Sequence, residues 1–207
     1  MSKALLICNG ENDPALLKQL AQEADFILAA DAGAEAAVRA GLRPDAVIGD
    51  LDSLSPRTRK QLPRTAFIRV ARQDNTDFEK ALDWLVSQRF THCIVAGSTG
   101  KRLDFTLGNF LSARPYLQKM EICFRGKGWS VWPLTQSRRL AAQPGARLSL
   151  LPLSACRGLT LRGVKYPVQN RSWRPGQNTG LWLSNQATAR HVQVQLVSGF
   201  LLVYLED

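Results

Sequence analysis

Short apolar runs alternate with helix-patterned stretches through roughly the first 125 residues of this 207-residue chain. ALLIC (4–8) ends at Asn9-Gly10, FILAAD (26–31) at Asp31, and DAVIGD (45–50) at Asp50. TAFIRVA (65–71) leads into Gln73 and Asp74, CIVAG (93–97) ends at Gly97, and EICFRG (121–126) at Gly126. Between them, Asp13-Pro14 fits an N-cap followed by proline in the first helical turn, GAEAAVRAG (33–41) reads as a second helix, and Ser55-Pro56 opens another. Phe78, Ala81, Leu82, Leu85 and Val86 fall at the spacing of one helical face, and so do Leu103, Leu107, Phe110 and Leu111. Apolar strands alternating with such helices predict a mainly parallel sheet covered on both faces. The expectation is a three-layer α/β domain over residues 1–132.

The pattern changes after about Trp132. RLSLLPL (147–153), GLTLRGV (158–164), GLWLSN (180–185), HVQVQLV (191–197) and FLLVYLE (200–206) are short strand signals separated by turn residues. From His191 to Leu196, polar His191, Gln193 and Gln195 alternate with Val192, Val194 and Leu196, as in a half-exposed antiparallel strand. An all-β sandwich domain is expected over residues 135–207.

Composition narrows the class. No apolar run is long enough to span a bilayer, and MSKALLICNG reads as a first strand rather than a signal peptide. Cys8, Cys93, Cys123 and Cys156 include no C-x-x-C pair, and only two histidines are present, which argues against structural zinc. Three of these cysteines sit in strand-like runs as small hydrophobes, and the natural reading is a reduced, cytoplasmic protein. The net charge of +10 is spread without a dense run, the stretch Arg57 to Arg72 being the richest. Attraction of a polyphosphate uses that charge more economically than nucleic acid, which is not expected as a partner.

The acids are placed more tellingly. Ligands of parallel α/β sheets sit beyond the carboxyl ends of the strands, and here those ends carry Asn9, Asp31, Asp50, Asp74 and Gly97. Asp50 and Asp52 join Asp74 and Asp77 there if the strands are neighbours. Four carboxylates in one crevice repel unless a divalent cation neutralises them, and oxygen ligands suit Mg²⁺. Each piece also has a local reading. Asp50 and Asp52 fit Asx-turns. Thr76 to Glu79 fits a capping box, with Asp77 favouring the helix dipole. GSTGKRLD (97–104) is glycine-rich before a helix but lacks the Walker and G-x-G-x-x-G spacings, and Arg102 either binds phosphate or pairs with Asp104.

Taken together, the pieces resemble the thiamine pyrophosphokinase family. The signature runs AADAGA (29–34), RPDAVIGDLDSL (43–54), QDNTDFEKAL (73–82) and GSTGKRLDFTLGN (97–109), with GVKYPV (163–168) and LSN (183–185) near the C-terminus. The resemblance covers nearly the whole chain. It implies a cytosolic homodimer with an α/β catalytic domain and a β-sandwich domain, and a thiamine site at the subunit interface. The implied reaction transfers the diphosphoryl group of ATP to the thiamine hydroxyl with Mg²⁺, releasing AMP. It implies Asp50, Asp52 and Asp77 as metal and phosphate-site acids, with Gln73 beside the reacting end of thiamine. It further implies Asp31, Gly33, Asp74, Thr76, Arg102 and Asp104 around ATP, and Ser184 and Asn185 at the thiamine pyrimidine. Two positions depart from the family pattern: Arg72, where an acid is common, and Phe105, where a polar residue is common. Apolar strand residues Phe200 to Leu205 are expected to offer surface to a second copy. Rival readings are another nucleotide-dependent kinase or nucleotidyltransferase on the same scaffold, or a non-catalytic thiamine or nucleotide sensor.

Overall fold

The computed structural model describes residues 2–72, 74–174 and 183–206. The chain divides into two compact units, Met1–Lys127 and Gly128–Asp207.

In the first unit, strands β1 (Lys3–Ile7), β2 (Phe26–Ala30), β3 (Ala46–Gly49), β4 (Ala66–Arg69), β5 (His92–Ala96) and β6 (Glu121–Gly126) lie in the order β6-β5-β1-β2-β3-β4. Every one of these pairings is parallel. Helices α1 (Pro14–Gln22), α2 (Gly33–Arg39), α3 (Pro56–Gln61), α4 (Asp77–Ser87) and α5 (Leu103–Ser112) connect them. Strand alternation sorts the core into two layers. Leu5 and Ile7 point toward Leu17 and Leu20 of α1 and Ala36 and Ala37 of α2. Phe26 points the other way, to Trp84 of α4, with ring centroids 5.5 Å apart. Phe78 of α4 and Phe110 of α5 both pack on Phe124 of β6. Helices therefore cover both faces, as the alternating pattern predicts.

Helix α5 behaves differently from its expected role. Leu103, Leu107 and Leu111, spaced by four, are 74%, 54% and 52% exposed, while Asn109 is buried. The periodicity identified a genuine apolar face, but it is divided: Phe110 packs inward on Phe124 while the three leucines look outward.

The second unit holds two antiparallel sheets. One runs β12 (Asn185–Gln186), β9 (Arg147–Pro152), β14 (Leu201–Glu206), β7 (Trp129–Leu134), and the other β11 (Val168–Trp173), β10 (Cys156–Arg162), β13 (His191–Gln195), β8 (Arg138–Ala141). Their inner faces share one core that includes Leu148, Leu150, Leu159, Leu161, Val192, Val194, Leu201 and Val203. Strands β7, β8 and β11 lay outside the sequence reading, being interrupted by proline, arginine pairs or polar residues. Because β7 pairs with β14 along its length, the division falls after Lys127 rather than between 132 and 135. The expected strand at 180–185 lies partly outside the described residues.

Strand β14 also corrects an expectation. It is paired on both edges, to β7 and β9, and Phe200, Leu201, Leu202, Val203 and Leu205 are all buried within the chain. It offers no apolar surface to a second copy, because these side chains are buried within the chain, Leu201, Val203 and Leu205 in the core of its own unit.

Candidate active site

The strand order fixes where a crevice opens. From β1 the chain steps outward through β2, β3 and β4, then crosses back to β5 and β6 on the other side of β1. The connections leaving β1 and β5 run to opposite faces, which is the switch point where open α/β sheets bind ligands. A cavity of about 330 Å³ lies there, lined by Asn9, Asp31, Asp77, Ser98, Lys101 and Arg102, among others.

Its floor is built from two glycine-containing loops. The Gly10 amide donates to the Gly97 carbonyl at 2.7 Å, and the Glu11 amide to the Thr99 carbonyl at 2.7 Å. A Cβ on Gly10 would lie 2.2 Å from the Thr99 carbonyl oxygen, so only glycine permits this approach. The Asn109 amide donates to the Ser98 carbonyl at 2.9 Å, which ties the GSTG loop to α5 and explains why a polar residue is the buried one on that helix.

The acids arrive from three strands. Asp31 follows β2 in a left-handed conformation and is 8% exposed, with its Oδ1 buried and unpartnered. Burial pushes its carboxyl above the ordinary carboxylate value, with Asp77 and Asp50 adding to the rise and a hydrogen bond from Ser53 opposing it. Asp77 is the first residue of α4. Thr76 caps that helix in a full capping box, its hydroxyl accepting from the Glu79 amide while Glu79 accepts from the Thr76 amide. Gly49 lets the two acids meet: a Cβ there would stand 3.0 Å from Asp31 Cβ and 3.3 Å from Asp77 Oδ1. Lys80, one turn on, has a side chain only 3% exposed, and its Nζ donates to Asp77 Oδ1 at 2.9 Å. Sequence reasoning missed Lys80. It lies off the Phe78, Ala81, Leu82 and Leu85 stripe of the helix, so the pattern carries no signal of its burial.

The other expected site residues fall as follows. Thr76 and Arg102 line the cavity with Asp31 and Asp77. Asp50 closes an Asx-turn, accepting from the Asp52 amide at 3.1 Å across a left-handed Leu51, and Asp52 is exposed outside the cavity lining. Gly33 is a packing position, since a Cβ there would lie 2.1 Å from the Ile7 carbonyl oxygen. Asp74 is exposed and pairs with Arg72 at 3.4 Å. Arg72 also binds Asp83 of α4 at 3.1 Å, so this departure from the family pattern pins the loop before α4. Asp104 makes a two-pronged pair with Arg102, which holds its carboxyl below the usual range. Phe105 lies under the same guanidinium at 4.4 Å from the ring centroid, so the second departure helps aim Arg102. Gln73 lies outside the described residues.

In the second unit, Asn185 is buried and its amide pins the backbone of Tyr166, donating to the carbonyl at 2.7 Å and accepting from the amide at 3.1 Å. Ser184 is exposed, in a left-handed conformation, with its amide held by Ser149 Oγ at 3.0 Å.

Among the described residues no three carboxylates, histidines or thiols converge as a ready-made metal cage. The crevice instead offers a buried, unpartnered carboxylate oxygen on Asp31 near Asp77, with cationic Lys101 and Arg102 in the same cavity lining. Carboxylates and cations lining one glycine-floored crevice suit a phosphate-rich substrate.

Comparison with known proteins agrees with that class. The family model "Thiamin pyrophosphokinase, catalytic domain" matches residues 17–124, and "Thiamin pyrophosphokinase, vitamin B1 binding domain" matches residues 137–201. The chain belongs to the thiamin pyrophosphokinase family. A thiamine pyrophosphokinase of Bacillus subtilis is 27% identical over 147 residues, 68% of this chain and 69% of that protein. The fold matches the crystal structure of a Bacillus subtilis thiamine pyrophosphokinase with a TM-score of 0.87 at 23% identity, covering 100% of this chain and 99% of that one. A thiamin pyrophosphokinase from Candida albicans matches with a TM-score of 0.85 at 18% identity, covering 100% and 89%. The chain is thus an enzyme, and its activity is that of a thiamine diphosphokinase.

Proposed function

We infer that the enzyme transfers the diphosphoryl group of ATP to the hydroxyl of thiamine, giving thiamine diphosphate and AMP, as a cytoplasmic homodimer that uses Mg²⁺. The observation that carries the reading is that Asp31 and Asp77, both against Gly49, line one cavity with Lys101 and Arg102 at the β1/β5 switch point. The thiamine oxygen forms a bond to the β-phosphorus as the bond from that phosphorus to the α–β bridging oxygen breaks, and the hydroxyl proton leaves to solvent or phosphate. Transfers of this kind need alignment and charge neutralisation more than a strong base. Lys101 and Arg102 are read as phosphate contacts. Lys80 holds Asp77 in one orientation.

Mg²⁺ takes one or two carboxylates and completes its shell with water and substrate phosphates, which fits a crevice with acids but no closed cage. Asp31 and Asp77 would hold it, and when bound it would neutralise charge on the polyphosphate. Asp52 and Gln73 enter this reading through the family resemblance. In the second unit, Ser184 is read as the contact to thiamine, and Asn185 as the residue that shapes the segment around Tyr166. The dimer reading is supported by the outward stripe of Leu103, Leu107 and Leu111, whose exposure on a monomer is unfavourable.

Product analysis tests the reaction. Incubation with thiamine, ATP and Mg²⁺ is expected to yield thiamine diphosphate and AMP in equal amounts; ADP or pyrophosphate as the co-product would assign a different transfer. Asp77→Asn is expected to lower kcat by on the order of 10² or more.

A further inference from the structure

The positive charge of the chain is unevenly placed. Residues 128–207 contain nine Lys or Arg against two Asp or Glu, whereas residues 1–127 contain eighteen against fifteen. Among the described acids of the second unit, Glu206 is engaged by Arg147 at 3.7 Å. Among the described residues no carboxylate pairs with Arg139 or Arg162.

Sheet register gathers part of that charge on one outward face. In β8 and β13, Arg139 stands opposite Gln193, and in β10 and β13, Arg162 stands opposite the same Gln193. Arg139, Gln193 and Arg162 therefore form one row across three strands, with the arginine backbones about 9–10 Å apart by two strand spacings. His191 lies two residues from Gln193 and so points from the same face. Between them, Val192 and Val194 are fully buried, which fixes the direction of their polar neighbours. Gly163 completes the shape. It has φ +79°, and a Cβ there would strike the His191 carbonyl oxygen at 2.5 Å, so the strand end carries no side chain at that point. The result is a depression of about 300 Å³ lined by Arg139, Arg162, Gly163, His191 and Gln193.

Two like-charged guanidiniums stand on one sheet row, with only Gln193 between them. Their donors, the Gln193 amide and the imidazole face a common hollow. Guanidinium groups match phosphate oxygens in pairs. We propose that this face of the second unit is a binding site for a small polyphosphate anion, clamped between Arg139 and Arg162. The acids and cations of the catalytic crevice all belong to the first unit, so this site is additional to the diphosphokinase chemistry and does not rest on it.

The chain's two histidines make the test specific. His92 lies in the first unit beside Glu121 at 3.4 Å, while His191 lies in the proposed site. The protein is labelled with ring-¹⁵N histidine and titrated with sodium tripolyphosphate, without divalent cations and at constant ionic strength. The His191 ring signals should move saturably while those of His92 stay. In Arg139→Gln/Arg162→Gln the apparent Kd should rise at least tenfold, with thermal unfolding and thiamine diphosphate formation unchanged. A motionless His191, or equal affinity in the double variant, would overturn the site. Tighter binding of a single-stranded oligonucleotide than of tripolyphosphate through the same residues would overturn the choice of a small anion.

Discussion

Asp31 shows how a single residue trades stability for a site. It is buried, left-handed, and leaves one carboxylate oxygen without a partner. Its raised pKa means that the folded chain holds the proton more tightly than the unfolded chain does. Stability is then highest below the ordinary value of 3.8, falls as pH rises from there to the native value, and stays reduced at neutral pH. Asp31→Asn removes the charge, and asparagine tolerates the same backbone conformation. The variant is expected to be more stable than the parent at pH 7 by on the order of 1 kcal/mol. The gain should shrink as the pH is lowered toward 4 and be accompanied by loss of turnover. Urea titrations at several pH values check this; a variant less stable at pH 7 would mean that the carboxylate is paired in solution. Cys8, at the same crevice, is the opposite case. Burial first, and then Asp77, push its thiol up to about 12, so it serves as packing rather than as a nucleophile.

Among the elements, α4 joins fold and chemistry most tightly. Its N-terminus is fixed by the Thr76–Glu79 capping box, and the residue so placed is Asp77. Thr76→Ala should cost about 1 kcal/mol of stability by denaturant unfolding. Because the cap aims an acid, it should also lower activity, and Thr76→Ser should restore both. A loss of stability with full activity would separate the cap from the site. The cap was legible in the sequence as T-x-x-E before an apolar run. The partner of Asp77 was not, because a buried lysine looks the same in sequence as a solvated one, and only the packing of α4 closes water away from Lys80.

For the whole molecule, the question is what covers α5. Leu103, Leu107 and Leu111 make a stripe too exposed to be core, next to Phe105 at 47% exposure. If a second copy covers it, light scattering should give twice the chain mass at micromolar concentration, and Leu107→Glu/Leu111→Glu should give a monomer. A native monomer, or a double variant that remains a dimer, would move the interface elsewhere. The strand first expected to serve, β14, is excluded by its place between β7 and β9.

What the sequence determined by itself was local. Period-two and period-3.6 patterns located the strands of the first unit and its helices, and the Asp13, Ser55 and Thr76 caps all accept the hydrogen bonds that their positions imply. The ordered motifs pointed to the family, since their residue types follow from the chemistry at the strand ends. Tertiary structure decided what depends on non-local neighbours. It brought Asp31 and Asp77 to the same glycine, Gly49, and tied the Asn185 amide to the backbone of Tyr166. It also made β14 central and left the α5 stripe uncovered, because periodicity specifies that a face is apolar and not which surface lies against it.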